Sequence, residues 1–232
     1  MISRAGPSEP PGGPERLRKA LRHLTDGSLD LLFPPRCAHC KRPGSLLCEA
    51  CIALILPLPN APAPAYLDSF YALGGFDGPL RSAIHAFKYD GQRRMAGWFG
   101  EQLAALALPL DADLIAPVPL HPKRERERGY NQSALLASQV AERLHIPQDN
   151  AVLRRTRVTQ QQATLGYADR ATNMRDAFSA DAERARGKVI VLVDDVCTSG
   201  ATLSSCAAAL RAAGAKHIYG LTIARALRDD PS

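Results

Sequence analysis

No stretch of this 232-residue chain comes near the roughly 20 apolar residues that a membrane-spanning helix needs, so no helical span is expected. The first fourteen residues, Met1 to Pro14, are rich in proline and glycine and lack the apolar core of an export signal. They predict a disordered tail and a cytoplasmic protein. No Gly-Lys-Ser/Thr triplet occurs, which excludes the P-loop as the means of holding a phosphate. Aromatic residues make up only 6%, with one tryptophan, and they are not interleaved with basic residues along the chain. A strong signal for single-strand nucleic-acid binding is therefore missing. Acidic residues are outnumbered, giving a net charge of +6, which suits an anionic partner, whether small molecule or polymer. What is present is a hydrophobic content of 46%, ordinary for a globular protein, and a length that fits one full-sized domain plus an accessory.

Six cysteines occur, and four fall within fifteen residues as Cys37-Ala-His-Cys40 and Cys48-Glu-Ala-Cys51. Two Cys-x-x-Cys knuckles supply the two-plus-two thiolates of a tetrahedral structural zinc site. Two disulfides are the alternative, disfavoured in a reducing compartment. His39, inside the first knuckle, is either a competing ligand or a solvated spacer. Cys197 and Cys206 have no partner in the sequence pattern, and Cys206 is expected in the core.

The run from Val189 to Leu203 carries the most chemistry. Five apolar residues, Val189 to Val193, predict a strand buried on both faces, as in a parallel sheet covered by helices. Asp194 and Asp195 follow, placed at the strand's carboxyl end, and then a turn of Thr198, Ser199, Gly200, Ala201 and Thr202 opens a helix that Gly214 stops. Ligands of open α/β sheets bind at the carboxyl ends of strands. There a hydroxyl-rich turn at a helix start wraps a phosphate, and adjacent carboxylates accept the two hydroxyls of a ribose or help hold Mg²⁺. Diol plus phosphate means a ribose phosphate. An ordinary strand-turn-helix with a solvated Asp pair is the plain alternative.

Other segments arrange around this one. Residues 15–33 predict a basic amphipathic helix, packed on the neighbouring domain or contacting DNA or a membrane surface. Pro57 to Pro64 is a proline-rich linker. Leu67 to Phe76 is expected as a strand, with helices at Leu80 to Lys88 and Ala96 to Leu108. The sheet is expected to begin with Ala112 to Ala116 and to include Asn150 to Arg154. Pro117, Val118, Pro119, Leu120 and His121 lie at a strand's carboxyl end and are candidates for a pyrophosphate-binding loop. Lys123, Arg124, Arg126 and Arg128 alternate with Glu125 and Glu127, a pattern of either phosphate contacts or a solvated surface. The chain thus divides into a tail (1–14), an amphipathic helix with a four-cysteine module (15–56), a linker (57–64), an α/β domain (65–226) and a tail (227–232).

The strand, acidic pair and Thr198-Ser-Gly-Ala-Thr202 turn resemble the motif that binds 5-phosphoribosyl 1-pyrophosphate (PRPP) in type I phosphoribosyltransferases, with Ser199 in place of a threonine. Further motifs resemble the ComF competence-protein family. These are Pro117-Val-Pro-Leu-His121, Arg124, Arg128-Gly-Tyr-Asn131-Gln132, Thr159 with Gln162, Arg170 with Asn173, Phe87-Lys-Tyr89, and Leu31-Leu-Phe-Pro-Pro-Arg-Cys37. The resemblance implies a type I phosphoribosyltransferase-like α/β fold, a parallel sheet flanked by helices, behind a small zinc-ribbon or zinc-finger module. It implies handling of incoming single-stranded DNA in natural transformation, with other DNA-uptake proteins as possible partners. Arg124, Arg128, Asn131, Gln132, Thr159, Gln162, Arg170 and Asn173 become candidate loop contacts. Three readings stay open: a phosphoribosyltransferase using PRPP and Mg²⁺ with Asp194 and Asp195 in the catalytic site, a DNA-binding module keeping a PRPP pocket, and a structural partner of an uptake machine.

Overall fold

The computed structural model describes residues 34–58, 62–89, 93–156 and 177–226. Their elements, in chain order, are α1 (Glu49–Ile52), β1 (Ser69–Gly75), α2 (Gly78–Tyr89), α3 (Met95–Ala107), a 3-10 turn (Leu108–Leu110), β2 (Leu114–Pro117), α4 (Pro122–Arg128) and α5 (Gln132–Leu144). There follow β3 (Leu153–Arg155), β4 (Phe178–Ala180), α6 (Ala182–Ala185), β5 (Val189–Cys197), α7 (Ala201–Ala212) and β6 (His217–Arg225).

Four strands form one sheet in the order β1-β6-β5-β2, every pairing parallel. Period-two alternation along β5 explains why both faces must be covered. Val191 and Val193 point into a core shared with Phe87, Phe99 and Leu136 of α2, α3 and α5. Ile190 and Leu192 point into a second core with Leu203 and Leu210 of α7 and with Leu153 and Phe178 of the small sheet. The fold is an α/β sandwich of a parallel sheet between helices, as the buried run Val189 to Val193 requires.

The four-cysteine module is built into the first of these cores. Cys37, Leu47 and Cys51 are buried there together with Ile84 and Phe87. Gly74, near the end of β1, lets the chain after α1 lie against the sheet: a Cβ on it would sit 2.8 Å from the Leu56 carbonyl oxygen.

Several expectations change. The sheet begins not at Ala112 but at β1, whose register with β6 runs from Ser69 opposite Tyr219 to Gly75 opposite Arg225. The Asn150 to Arg154 strand becomes β3, outside the main sheet, because its partner is the antiparallel β4. Lys123 to Arg128 is helical: His121 caps α4 by accepting from the Lys123 N–H, Pro122 takes the first turn, and Gly129 ends it. Finally, β5 does not stop before the acidic pair. It runs through Asp194, which lies opposite Thr222 of β6, as far as Cys197. The amphipathic-helix expectation for 15–33, both tails, and Thr159, Gln162, Arg170 and Asn173 lie outside the described residues.

Candidate functional site

The carboxyl end of β2 lies beside the middle of β5, just before the acidic pair, with Pro117 opposite Val193 and the Val118 N–H donating to the Val193 carbonyl at 2.9 Å. This places the loop Pro117 to His121 next to Asp194. Asn131 pins the same loop from α5: its Nδ2 donates to the Val118 carbonyl at 3.1 Å, while its Oδ1 caps the helix by accepting from Ser133 and Ala134. Asn131 is therefore a scaffold for the loop. Pro117 and Pro119 carry no amide hydrogen and that of Val118 is spent on the sheet, so within this stretch an anion can draw on at most the amides of Leu120 and His121. His121 Nδ1 caps α4, and its Nε2 is buried with no hydrogen-bond partner among the described residues. Burial, followed by the charges of Arg155, Arg124, Arg126 and Lys123, lowers its pKa.

Asp194 and Asp195 are supported from two helices. Ser133, buried in the first turn of α5, donates from Oγ to Asp194 Oδ1 at 2.8 Å, and the same oxygen accepts the Asp195 N–H at 2.9 Å. Lys88, in the last turn of α2, donates from Nζ to Asp195 Oδ1 at 2.8 Å. Desolvation and then the neighbouring charge of Asp195 push the Asp194 carboxyl up to about 7; the Ser133 hydroxyl, the Asp195 amide and Lys88 oppose the shift without cancelling it.

The following turn is shaped for an anion. Gly200 has φ of 78°, the left-handed region, and a Cβ there would meet Pro64 at 3.1 Å. The α7 amino terminus carries no side-chain cap and no acidic residue in its first turn. Its amide dipoles lie beside exposed Thr198 and half-buried Ser199 and Thr202. Ser199 Oγ accepts the Ala201 N–H at 3.4 Å. Cys197, with burial the main cause, is pushed up to about 11, and burial in the core also raises Cys206 well above the ordinary thiol range, so neither is a ready nucleophile.

Of the remaining candidates, Arg128 donates to Gln132 Oε1 at 2.9 Å and to the Tyr89 hydroxyl at 3.1 Å, tying α4 to α2. Gln132 is 1% exposed and its Nε2 lacks a partner among the described residues. Arg124 is exposed on α4. Two residues that contact the acidic pair, Lys88 and Ser133, were not among the sequence candidates.

The cysteines converge as well. Their four sulfurs all lie within 4.8 Å of one another, with Cys40 and Cys48 Sγ 3.6 Å apart. Burial would raise the Cys37 thiol, but the amides of Cys48, Cys40 and His39 bring it down to about 6. Cys51, desolvated and beside the other three sulfurs, is pushed up to about 12. The donor set and its geometry fit a tetrahedral metal ion. His39 Nδ1 instead shares a hydrogen bond with Ser82 Oγ of α2 at 3.1 Å, which makes it a spacer tied to the domain.

Residues 131–229 match the model of the phosphoribosyl transferase domain. Over 205 residues the chain is 31% identical to Competence protein F of Haemophilus influenzae, covering 83% of this chain and 85% of that protein. The chain belongs to the ComF competence-protein family. DNA utilization protein YhgH of Escherichia coli K12 is 32% identical over 159 residues, 64% of this chain and 68% of that protein. Among solved structures, the glutamine PRPP amidotransferase of B. subtilis complexed with ADP and GMP aligns at 23% identity and a TM-score of 0.43, over 59% of this chain and 30% of that one. Within this ComF-family chain, the domain match begins at the loop-pinning Asn131 and spans the acidic pair, the glycine turn and β6. Among the described residues no helix is long and apolar enough to cross a membrane.

Proposed function

We propose that this ComF-family chain binds PRPP in the corner between β5 and α7 and acts on incoming single-stranded DNA in the cytoplasm, alongside other DNA-uptake proteins. The observation that carries the PRPP reading is the coupling of two acceptor carboxylates to an uncapped, hydroxyl-lined helix start on one continuous strand-turn-helix. Asp194 and Asp195 accept the ribose hydroxyls, Thr198 to Thr202 receive the 5′-phosphate, and Leu120 and His121 offer amides toward the pyrophosphate. Mg²⁺ arrives on the polyphosphate, since one carboxylate of the pair already has Lys88 as its counter-cation. The metal of the four-cysteine module is zinc, by its all-thiolate set. DNA handling is supported by family membership, by relatives named for competence and DNA utilization, and by the net charge of +6.

A second reading, an active phosphoribosyltransferase, is favoured by the loop Pro117 to His121 lying directly beside Asp194. A nitrogen nucleophile would attack the anomeric carbon and pyrophosphate would leave. The chain's part would be positioning and charge stabilisation around an oxocarbenium-like transition state rather than a dedicated base.

Titration calorimetry of PRPP-Mg²⁺ against wild type and Asp194→Asn/Asp195→Asn tests the site. Removing charge-assisted acceptors lowers affinity at least tenfold, at about 1.5–3 kcal/mol per bond. Equal affinity would overturn the assignment. Pyrophosphate release on adding candidate amines separates the two readings.

A further inference from the structure

Aromatic and basic residues that are scattered in sequence come together along one flank of α2. Arg81, His85, Lys88 and Tyr89 fall at i, i+4, i+7 and i+8, one stripe of a helix. The opposite stripe, Leu80, Ala83, Ile84 and Phe87, is buried in the core, whereas Arg81, His85 and Tyr89 are exposed. The exposed stripe lines two adjoining depressions. The first, about 760 Å³, is closed on its far side by Ala38 and Lys41 of the four-cysteine module and by Phe76. The second, about 460 Å³, is bounded by Arg124, Glu127, Arg128 and Tyr130. Lys88 and Tyr89 line both, so the two make one groove running from the cysteine module to α4.

Its chemistry is uniform. Among the described residues, Lys41, Arg81, Lys88, Arg124 and Arg128 face a single lining acid, Glu127. Rings are placed between these cations: the Arg81 guanidinium lies 6.0 Å from the Phe76 ring centre, Arg128 5.1 Å from that of Tyr89, and His85 and Tyr89 lie 4.8 Å apart. Alternating cations and rings, of which His85 and Tyr89 are exposed, in a concave channel match a strand whose phosphates meet the cations while unpaired bases stack on the rings. A duplex keeps its bases stacked internally and offers no faces to rings set in a channel.

We propose that this groove, floored by Arg81, His85, Lys88 and Tyr89, is where the protein holds single-stranded nucleic acid. The proposal rests on the DNA-handling reading and gives it a surface. It also places the strand against the PRPP corner, because Lys88 is both a groove cation and the partner of Asp195. Charge and stacking make separable contributions. A lost phosphate contact changes the salt dependence, by about 0.7 in slope on single strands. A lost ring changes affinity at constant slope.

Fluorescence anisotropy of a labelled 20-mer of thymidine with the full zinc-loaded chain, from low to moderate salt, tests this. Arg81→Ala is expected to flatten the salt slope by about 0.7. Tyr89→Leu weakens binding about tenfold with the slope unchanged, while Tyr89→Phe restores it. Lys216→Ala, at the amino end of β6, changes nothing. Arg81→Ala keeps the wild-type melting temperature and PRPP affinity. Wild type that binds the 20-mer while Arg81→Ala and Tyr89→Leu bind as tightly would overturn the groove and leave DNA handling in place. Wild type that fails to bind at micromolar protein removes the DNA-handling reading and the groove with it. A matching duplex bound as tightly as the single strand also overturns the groove.

Discussion

Four thiols and two carboxyls pose the same electrostatic problem in two parts of this molecule, and the fold answers it differently. Cys37, Cys40, Cys48 and Cys51 crowd their sulfurs within 4.8 Å, and the result is one thiol drawn down to about 6 and another driven up to about 12. Backbone amides help Cys37, but four thiolates need a cation from outside the chain. Asp194 and Asp195 are supplied from within, by Ser133 and Lys88. The first cluster, as a metal site, would be complete only with an ion. The second is built in advance and can receive a ligand without refolding, the arrangement that spares a binding site the cost of ordering itself.

The largest test of that contrast is Cys48→Ser. Structural zinc contributes apparent binding free energies of about 10–16 kcal/mol in small modules, all of it coupled to folding. Elemental analysis should fall from one zinc per chain to none. Because Cys37 and Cys51 share a core with Ile84 and Phe87, the melting midpoint of the α/β domain should fall too. Full stability without zinc would break the comparison.

The carboxylate pair should respond to pH instead of to chelators. A carboxyl at about 7 in the folded chain, against an ordinary 3.8, favours the protonated native state. Its contribution to the stability of the ligand-free protein is full below about pH 4 and is lost as pH rises through 7. PRPP needs the ionised acceptor, so its affinity should climb through the same window, by up to about tenfold per pH unit below 7. Calorimetry at pH 6 and pH 8 checks this, and Asp194→Asn should remove the dependence that belongs to the protein. A wild-type profile identical to that of Asp194→Asn would show that the pair is not tuned.

The smallest expected effect belongs to Ser133→Ala. Losing one hydrogen bond to Asp194 should move the midpoint of the pH profile upward and weaken PRPP binding at pH 8 about fivefold, near the 1 kcal/mol typical of such a bond. An unshifted midpoint would mean that Ser133 only packs.

The two clusters were legible because each is local. Knuckle spacing and a strand-turn-helix are written in consecutive residues, and both came together as the sequence implied. The contacts of Ser133 and Lys88 with the acidic pair were not legible, since they reach across 61 and 107 residues, set by where α5 and α2 pack on the sheet. β3 shows the same limit from another side: the short run Ala151-Val152-Leu153 that leads into it suits any strand, and only its pairing with β4 excludes it from the main sheet. The α4 helix was hidden by alternating charges, although its His121 cap, Pro122 and closing Gly129 stand in the sequence. The α2 stripe was present as well, at helical spacing. Its neighbours Lys41 and Arg128 come from elsewhere, so basic and aromatic residues read as dispersed along the chain become interleaved only once folded.

Pro64 occupies the space that a Cβ on Gly200 would need, and Pro62 accepts at its carbonyl from Arg225 at the end of β6. A fragment trimmed to begin just after these prolines would keep every residue assigned to PRPP and still lose the wall that the turn leans on. Weak PRPP binding by such a fragment would report the missing wall and not the chemistry of the pocket. Dissection of this protein into parts should therefore carry the prolines with the α/β domain, or compare ligands only on the intact chain.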